Sequence, residues 1–399
     1  MLTRTRTTRR SGSLAFIVLA TLGGVSGNSA VRATDGAIVA WGRNDNGQTN
    51  IPAPNSDFIA VAGGWAHSLG LKADGSVVAW GWNADGQTNV PAPNSGFVAV
   101  CAGENYSMGL KGDKSIVAWG CGTNNYGQCA VPAPNSGFVK IACGEDHALG
   151  LKTDGAIVGW GNNTHGETTV PAPNSGFVAI AGGGSHSLGL RADGSIEAWG
   201  DNSFGQRNIP APNSGYVAIA AGNRHSLGLK ADGSVVCWGD NTGGQCNIPA
   251  QNSGFVAVAA ADSMHSLGLK ANGSVVCWGS NTYGQCNVPA PNTGFVAVAA
   301  GGEHTLGLMG GGACCLTGGS CNQLSQSECS AQSGVFHGLG SNCQGDYDQD
   351  GIADICDSCI QGPGGVCIPA LSEWGVLVMV LLFLTAGSLV HRRRILART

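Results

Sequence analysis

An all-β, seven-bladed β-propeller is the fold this sequence predicts, and three observations predict it. Trp-Gly pairs recur at Trp41, Trp80, Trp119, Trp160, Trp199, Trp238 and Trp278, at intervals of 39, 39, 41, 39, 39 and 40 residues. A second marker, His (once Tyr) followed by a small residue and Leu/Met-Gly-Leu, recurs at His67, Tyr106, His147, His186, His225, His265 and His304. Finally, 66 glycines and 15 prolines among 399 residues, with 11% charged residues, suit short strands joined by tight turns and exclude long amphipathic helices. A unit of this length cannot bury both of its faces alone, so neighbouring units must stack.

In chain order, residues 1–33 read as an export signal. Arg4, Arg6, Arg9 and Arg10 precede an apolar stretch from Leu14 to Val25, and small residues follow to Ala30 or Ala33. That apolar core is too short to span a bilayer.

Residues 34–310 form the repeat region. A typical unit reads Phe-Val-Ala-Val-Ala-Ala-Gly, a turn, His-Ser-Leu-Gly-Leu-Lys, Ala-Asp-Gly, Ser-Val-Val-Ala-Trp-Gly, a loop ending Gly-Gln, then Asn-Val-Pro-Ala-Pro-Asn. His67, Leu69 and Leu71 alternate with period two, as do Val78 and Trp80, and Asp74-Gly75 signals a tight hairpin. Each unit is therefore an antiparallel meander of three strands, with room for a short fourth at the Gln-x-Asn-Val segment. The first six His/Tyr markers are each followed 13 residues later by Trp, but His304 plus 13 lands on Thr317. The seventh blade thus lacks its last strand, while Asp35–Gly42 is a lone Trp strand without a His partner. The expectation is that one completes the other, closing the ring by strand exchange and leaving no free edge.

A meander places the turn before His and the loop after Trp-Gly at one end of each blade, and the Ala-Asp-Gly hairpin at the other. Both length changes, at Cys121–Tyr126 and at Asp262–Met264, fall in the first set. So do the most varied residues, among them Glu104, Asn105, Glu145, Asp146, His165, Asn223 and Met264. A rim that varies over a monotonous scaffold suggests recognition, with aromatic and Arg side chains as anchors: Trp65, Trp82, Tyr126, Phe204, Arg224 and Tyr283. The repeated His, replaced once by Tyr106, fits a structural role better than a catalytic or metal-binding one. Asp45, Glu167 and Glu197 are lone acids from which nothing selects a glycosidase pair. No nucleophile elbow or phosphate loop is present.

These motifs resemble regulator-of-chromosome-condensation repeats over roughly residues 35–308. Within that family, the style of Asp85–Pro91 is most similar to the secreted bacterial propeller that inhibits beta-lactamases. The resemblance implies a propeller. It does not carry the nuclear members' nucleotide-exchange function to an exported, acidic chain.

Sixteen cysteines in an exported chain predict disulfides. Cys237 with Cys246 and Cys277 with Cys286 occupy the same two slots of adjacent repeats, and Cys129 fills the second slot with Cys121 as its mate. Cys101 and Cys143, on the first strands of neighbouring blades, either join or remain buried thiols. Residues 311–367 leave the repeat, hold eight cysteines and read as a small stalk dependent on staples. Within it Asp346, Asp348, Asp350, Asp354 and Asp357 stand at positions 1, 3, 5, 9 and 12, with Gly351 at 6 and the Ile352 carbonyl at 7. Hard oxygen donors at that spacing suit structural calcium. The stretch resembles a thrombospondin type 3 calcium repeat.

Residues 368–399 end the chain. Trp374–Val390 is apolar enough for a transmembrane helix, and Arg392, Arg393 and Arg394 follow it, a cluster that stays cytoplasmic. Ile368–Gly375 resembles the IPTL-CTERM sorting signal, with Ala370 where that family has Thr. The resemblance implies handling by an exosortase-type sorting transpeptidase; the plain reading is a permanent anchor.

Between Thr34 and Pro369 there are 24 acidic and 11 basic residues, a net charge of −13, which disfavours nucleic acid as a partner. The sequence thus predicts an exported, envelope-attached, non-catalytic module that binds a protein or glycan through its varied rim. The alternatives are an inhibitor of a secreted enzyme and a surface-polysaccharide hydrolase or lyase.

Overall fold

The computed structural model describes residues 36–122 and 125–310. It also describes the backbone of short strands at Gly312–Cys315, Cys321–Leu324, Val335–Phe336, Ile360–Gly362 and Val366–Ile368. The chain divides into two compact units at Gly310/Gly311. The export signal, the calcium ligands Asp346, Asp348, Asp350, Ile352, Asp354 and Asp357, and the C-terminal helix lie outside the described residues. Among the described residues no helix is long and apolar enough to cross a membrane.

The first unit consists of seven three-stranded antiparallel sheets, a seven-bladed propeller. Blade 1 is built from an inner strand Phe58–Gly63, a middle strand His67–Lys72 and an outer strand Val77–Gly81. Blades 2 to 6 repeat this order, starting at Phe97, Phe138, Phe177, Tyr216 and Phe255. Blade 7 takes its inner and middle strands from Phe295–Ala300 and His304–Met309 and its outer strand from Ala37–Gly42. The pairing there runs Ile38↔Leu308, Ala40↔Leu306 and Gly42↔His304. In the second unit, Gly312–Cys315 pairs with Cys321–Leu324 and Val335–Phe336, and Ile360–Gly362 pairs with Val366–Ile368.

Each middle strand is buried along its length because both of its faces meet something. Leu69, Leu71 and Val77 of blade 1 pack on Phe97 and Trp119 of blade 2. In the same way Leu306 and Leu308 of blade 7, with Ile38, pack on Phe58 and Trp80 of blade 1. The Gly of Leu-Gly-Leu has a steric cause: a Cβ on Gly70 would stand 2.4 Å from the Phe58 ring. The inner strand lays that ring across the middle strand, and a β-bulge follows between Phe58 and Ala60.

The short fourth strand does not form. Gln48 is buried, and its carbonyl accepts the Trp80 indole Nε1–H (2.9 Å) and the Ser68 hydroxyl (2.8 Å). A carbonyl used in this way is lost to a ladder, and the segment after it runs as turns. The edge of the outer strand is satisfied instead by one side chain. Asn94 accepts from the Val77 N–H and donates to the Val77 carbonyl, both at 2.8 Å, so its amide mimics a missing strand. The same pair of bonds recurs at Asn55, Asn135, Asn174, Asn213, Asn252 and Asn292.

The repeated His links blade to blade. His67 Nε2 meets Ser107 Oγ of the next blade at 3.0 Å, and the Ser107 hydroxyl donates onward to the Gln87 carbonyl at 2.9 Å. Because the hydroxyl proton is spent there, the imidazole must donate from Nε2. His147–Ser187, His186–Ser226, His225–Ser266, His265–Thr305 and His304–Ser68 repeat the link. Blade 2 solves the problem differently. Ala148 stands where the next blade should offer a hydroxyl, and the longer Tyr106 puts its own hydroxyl there, donating to the His147 carbonyl.

Candidate binding face

The register that pairs His67 with Gly81 puts the turn before His and the loop after Trp-Gly side by side at one end of the blade. The Trp82 N–H donates to the Ala66 carbonyl at 2.9 Å. Equivalent bonds join Arg43 to Glu303, Asn162 to Asp146, Asp201 to Ser185, Asp240 to Arg224 and Ser280 to Met264. Each outer loop is also held from within. The buried Gln206 side chain accepts the Phe204 N–H at 2.9 Å, and the Asn202 amide donates to Asn208 at 3.0 Å. A fixed frame therefore presents the residue before Gly-Gln outward. That slot holds Tyr126, His165, Phe204 and Tyr283 in four of the loops.

Eight large hydrophobic side chains are exposed among the described residues, and six of them stand at this end: Trp65, Trp82, Tyr126, Phe204, Met264 and Tyr283. The other two, Val98 and Val178, are on inner strands near the hairpin end. Arg224 is exposed at the loop end too, with its guanidinium 4.8 Å or less from an aromatic neighbour: it lies 4.4 Å from the Phe204 ring centre. Arg43, which the sequence did not single out, mirrors it at 4.8 Å from the Tyr283 ring and pairs with Asp45 (2.6 Å) and Glu303 (2.5 Å). The six anchors named from the sequence thus share one end of the propeller, though they come from five blades.

A group of acids at the same end was visible in the sequence only as variation in the turn before His. Glu104 and Glu145 follow the first Gly of that turn in blades 2 and 3, Asp146 comes next, and Asp262 holds the place in blade 6. Burial, then repulsion from neighbouring acids, raises all four from their ordinary values, Asp146 to about 6 and Asp262 to about 7. Asn223 donates to Glu145 at 3.3 Å. Asp146 Oδ1 is buried and accepts no hydrogen bond. Beside Asp262 a cleft of about 310 Å³ opens between Asp240, Met264 and Glu303.

Asp45, Glu167 and Glu197 are not brought together. Asp45 pairs with Arg43, Glu197 pairs with Arg191 at 3.0 Å, and the buried Glu167 replaces the frame Gln and accepts the His165 N–H at 2.7 Å. Among the described residues no group of His, Cys, Asp or Glu is placed to hold a metal ion. Cys121–Cys129, Cys237–Cys246 and Cys277–Cys286 are joined within their blades, and Cys101–Cys143 joins the inner strands of blades 2 and 3.

The sequence model of the Regulator of chromosome condensation (RCC1) repeat matches residues 58–87, 138–167, 177–206, 216–245 and 263–285. Five of the seven blades thus carry a stretch that matches the RCC1 repeat. Four of the matched segments run from the inner strand to the frame Gln or Glu167, and the fifth starts at the turn before His265; blade 2, with Tyr106, and blade 7, split between the ends of the propeller, lie outside them. No curated protein matches the chain. Among solved structures, yeast RCC1 (Prp20) bound to Kap60 superposes with a TM-score of 0.60 at 18% identity, covering 84% of this chain and 98% of that one. Prp20p from Saccharomyces cerevisiae, described with its binding to Gsp1p and histones, gives 0.59 at 19% identity, over 75% and 94%. The ectodomain of the Arabidopsis thaliana receptor kinase ACR4 gives 0.52 at 23% identity, over 67% and 97%. At these identities the likeness is one of fold.

Proposed function

We propose that this chain is an exported, envelope-attached, non-catalytic recognition module that binds a protein partner on the loop end of a propeller closed by its N-terminal strand. One observation carries the reading: six of the eight exposed large hydrophobic side chains stand at that end, on loops whose backbones are fixed. Exposed aromatic and Arg side chains on a rigid frame are the anchors that protein interfaces use. The partners named for Prp20 are proteins, which favours a protein over a glycan. Four disulfides within the propeller agree with an oxidising compartment, and the export signal and basic-flanked tail of the sequence agree with the envelope. To test the face, the full chain and its Trp82→Ala/Tyr283→Ala variant serve as baits in envelope extracts. A specific protein should be recovered by the first and lost by the second, and identical recovery by both rejects the face.

The stalk is proposed to bind calcium structurally through Asp346, Asp348, Asp350, the Ile352 carbonyl, Asp354 and Asp357. In calorimetric titration of the full chain, Asp346→Asn with Asp350→Asn should weaken calcium binding about 10-fold or more, because affinity follows the number of ligand charges. Equal heats from both proteins would remove the assignment.

A further inference from the structure

Resting on the reading of the loop end as the binding face, we infer that Arg43 is a positioning residue of that face: it holds the ring of the anchor Tyr283 in place for the bound protein.

The loop of Tyr283 fixes its backbone, whose N–H donates to the buried Gln285 side chain at 2.9 Å. Such a bond sets where the side chain starts and not where its ring points. Arg43 supplies the second restraint. Its guanidinium stands over the ring, 4.8 Å from the centre.

Arg43 can serve as a plate because it is itself held at three points. Its backbone N–H donates to the Glu303 carbonyl at 2.9 Å, its Nε pairs with Asp45 at 2.6 Å, and its Nη1 pairs with Glu303 at 2.5 Å. The donors of a guanidinium lie in its plane, so two carboxylates at its edge leave its flat face for the ring. A lysine ammonium is a point charge without that fork and could not serve both carboxylates and the ring together.

The arrangement crosses the closure of the propeller. Arg43 directly follows the strand Ala37–Gly42, Tyr283 lies in the outer loop of blade 6, and Glu303, 260 residues from Arg43, lies in the turn of blade 7. Beside Glu303, the Gly302 N–H donates to the Gly64 carbonyl at 3.0 Å, and a Cβ on Gly302 would stand 2.9 Å from Trp65 Cδ1. Tyr283, Arg43, Glu303, Gly302 and Trp65 thus run side by side over blades 6, 7 and 1, with an anchor at each end of the run. The other aromatic slots agree. Phe204 under Arg224 and Tyr283 under Arg43 are 41% and 44% exposed, whereas Tyr126, over which no cation stands among the described residues, is 56% exposed.

At a surface each of these contacts is weak alone, so the fold does not depend on Arg43. Binding does, because an anchor left free must be ordered when the partner arrives.

To test this, the full chain with its disulfides formed is panned against a random dodecapeptide phage library, and a peptide whose binding is lost in Trp82→Ala/Tyr283→Ala becomes the probe. In calorimetry Arg43→Ala should weaken that peptide about 3- to 10-fold, and Arg43→Lys by a smaller factor. In a Tyr283→Ala background Arg43→Ala should cost nothing further, which a merely structural arginine would not give. Urea melts should show nearly the wild-type midpoint for Arg43→Ala; if that variant folds poorly, Arg43→Lys carries the same comparisons. In the absence of peptide, tetranitromethane should nitrate Tyr283 more slowly than Tyr126 in the wild-type chain and at a comparable rate in Arg43→Ala. Unchanged peptide affinity, an equal loss in both Tyr283 backgrounds, or Tyr283 nitration indifferent to Arg43 overturns the inference and leaves the face standing. A library that yields no peptide sensitive to Trp82→Ala/Tyr283→Ala rejects the face, and the role of Arg43 with it.

Discussion

Lowering the pH from 7 to 5 is expected to destabilise the propeller steeply, through six buried imidazoles rather than through its carboxylates. His67, His147, His186, His225, His265 and His304 are fully buried, and burial holds them neutral down to about 3 or 4. Each donates from Nε2, and each Nδ1 is a buried lone pair with no partner, so a proton added there would be a donor with no acceptor. In the unfolded chain the same groups take up protons near 6.5. Stability is therefore complete above that pH and is lost as pH falls toward the folded values, by about 1.4 kcal/mol per histidine per pH unit. Asp262 and Asp146 work in the opposite sense, since their raised values let the folded state bind protons first. With about four protons left in the balance, the net slope between pH 6 and 5 is about 5 kcal/mol per unit, comparable with the whole stability of many domains. Urea melts at pH 7, 6 and 5 measure it. A midpoint independent of pH would refute the neutral ring, and His186→Gln should reduce the slope by about one histidine's share.

Trp41→Ala should cost about 3–5 kcal/mol, as much as the same change at an interior blade. Trp41 is 7% exposed, packs on Phe295 at 6.1 Å and donates its indole N–H to the Gln285 carbonyl at 2.9 Å. That carbonyl keeps the Thr305 hydroxyl at 2.9 Å, so the loss is chiefly cavity and buried area. Trp238, which is 6% exposed and bonded to the Gln206 carbonyl, is the interior control. Chemical denaturation of both variants decides. A Trp41 cost below about 1 kcal/mol, against a full cost at Trp238, would mean that the N-terminal strand frays and does not hold the ring.

Much of this architecture is legible in the repeat because each unit reuses the same local solutions. Trp, His, Gln and Asn recur since each makes the same bonds from blade to blade, and the constant His-to-Trp spacing is a hairpin of constant length. The sequence left room for a fourth strand because Gln-x-Asn-Val has strand composition; the Gln carbonyl is taken by the next blade's Trp and Ser, which a propensity does not reveal. Tyr106 stands out in the sequence, but Ala148, which compensates for it, looks like an ordinary small residue until the blades are stacked. At the site, exposed aromatics in fixed loop slots could be named from variation alone. Arg43 could not, because its partners Glu303 and Tyr283 come from the far end of the propeller sequence.

By itself the sequence determined the number of blades, the three-stranded meander within each and the end that carries the variable loops, since these follow from period and spacing along one chain. The tertiary structure alone decided that Glu104, Glu145, Asp146 and Asp262, spread over three blades, come near enough to interact, and that the imidazoles are neutral. The reason is geometric. A repeat states which positions are equivalent, whereas distances across the axis, and the exclusion of water between stacked blades, exist only once the blades are assembled around it.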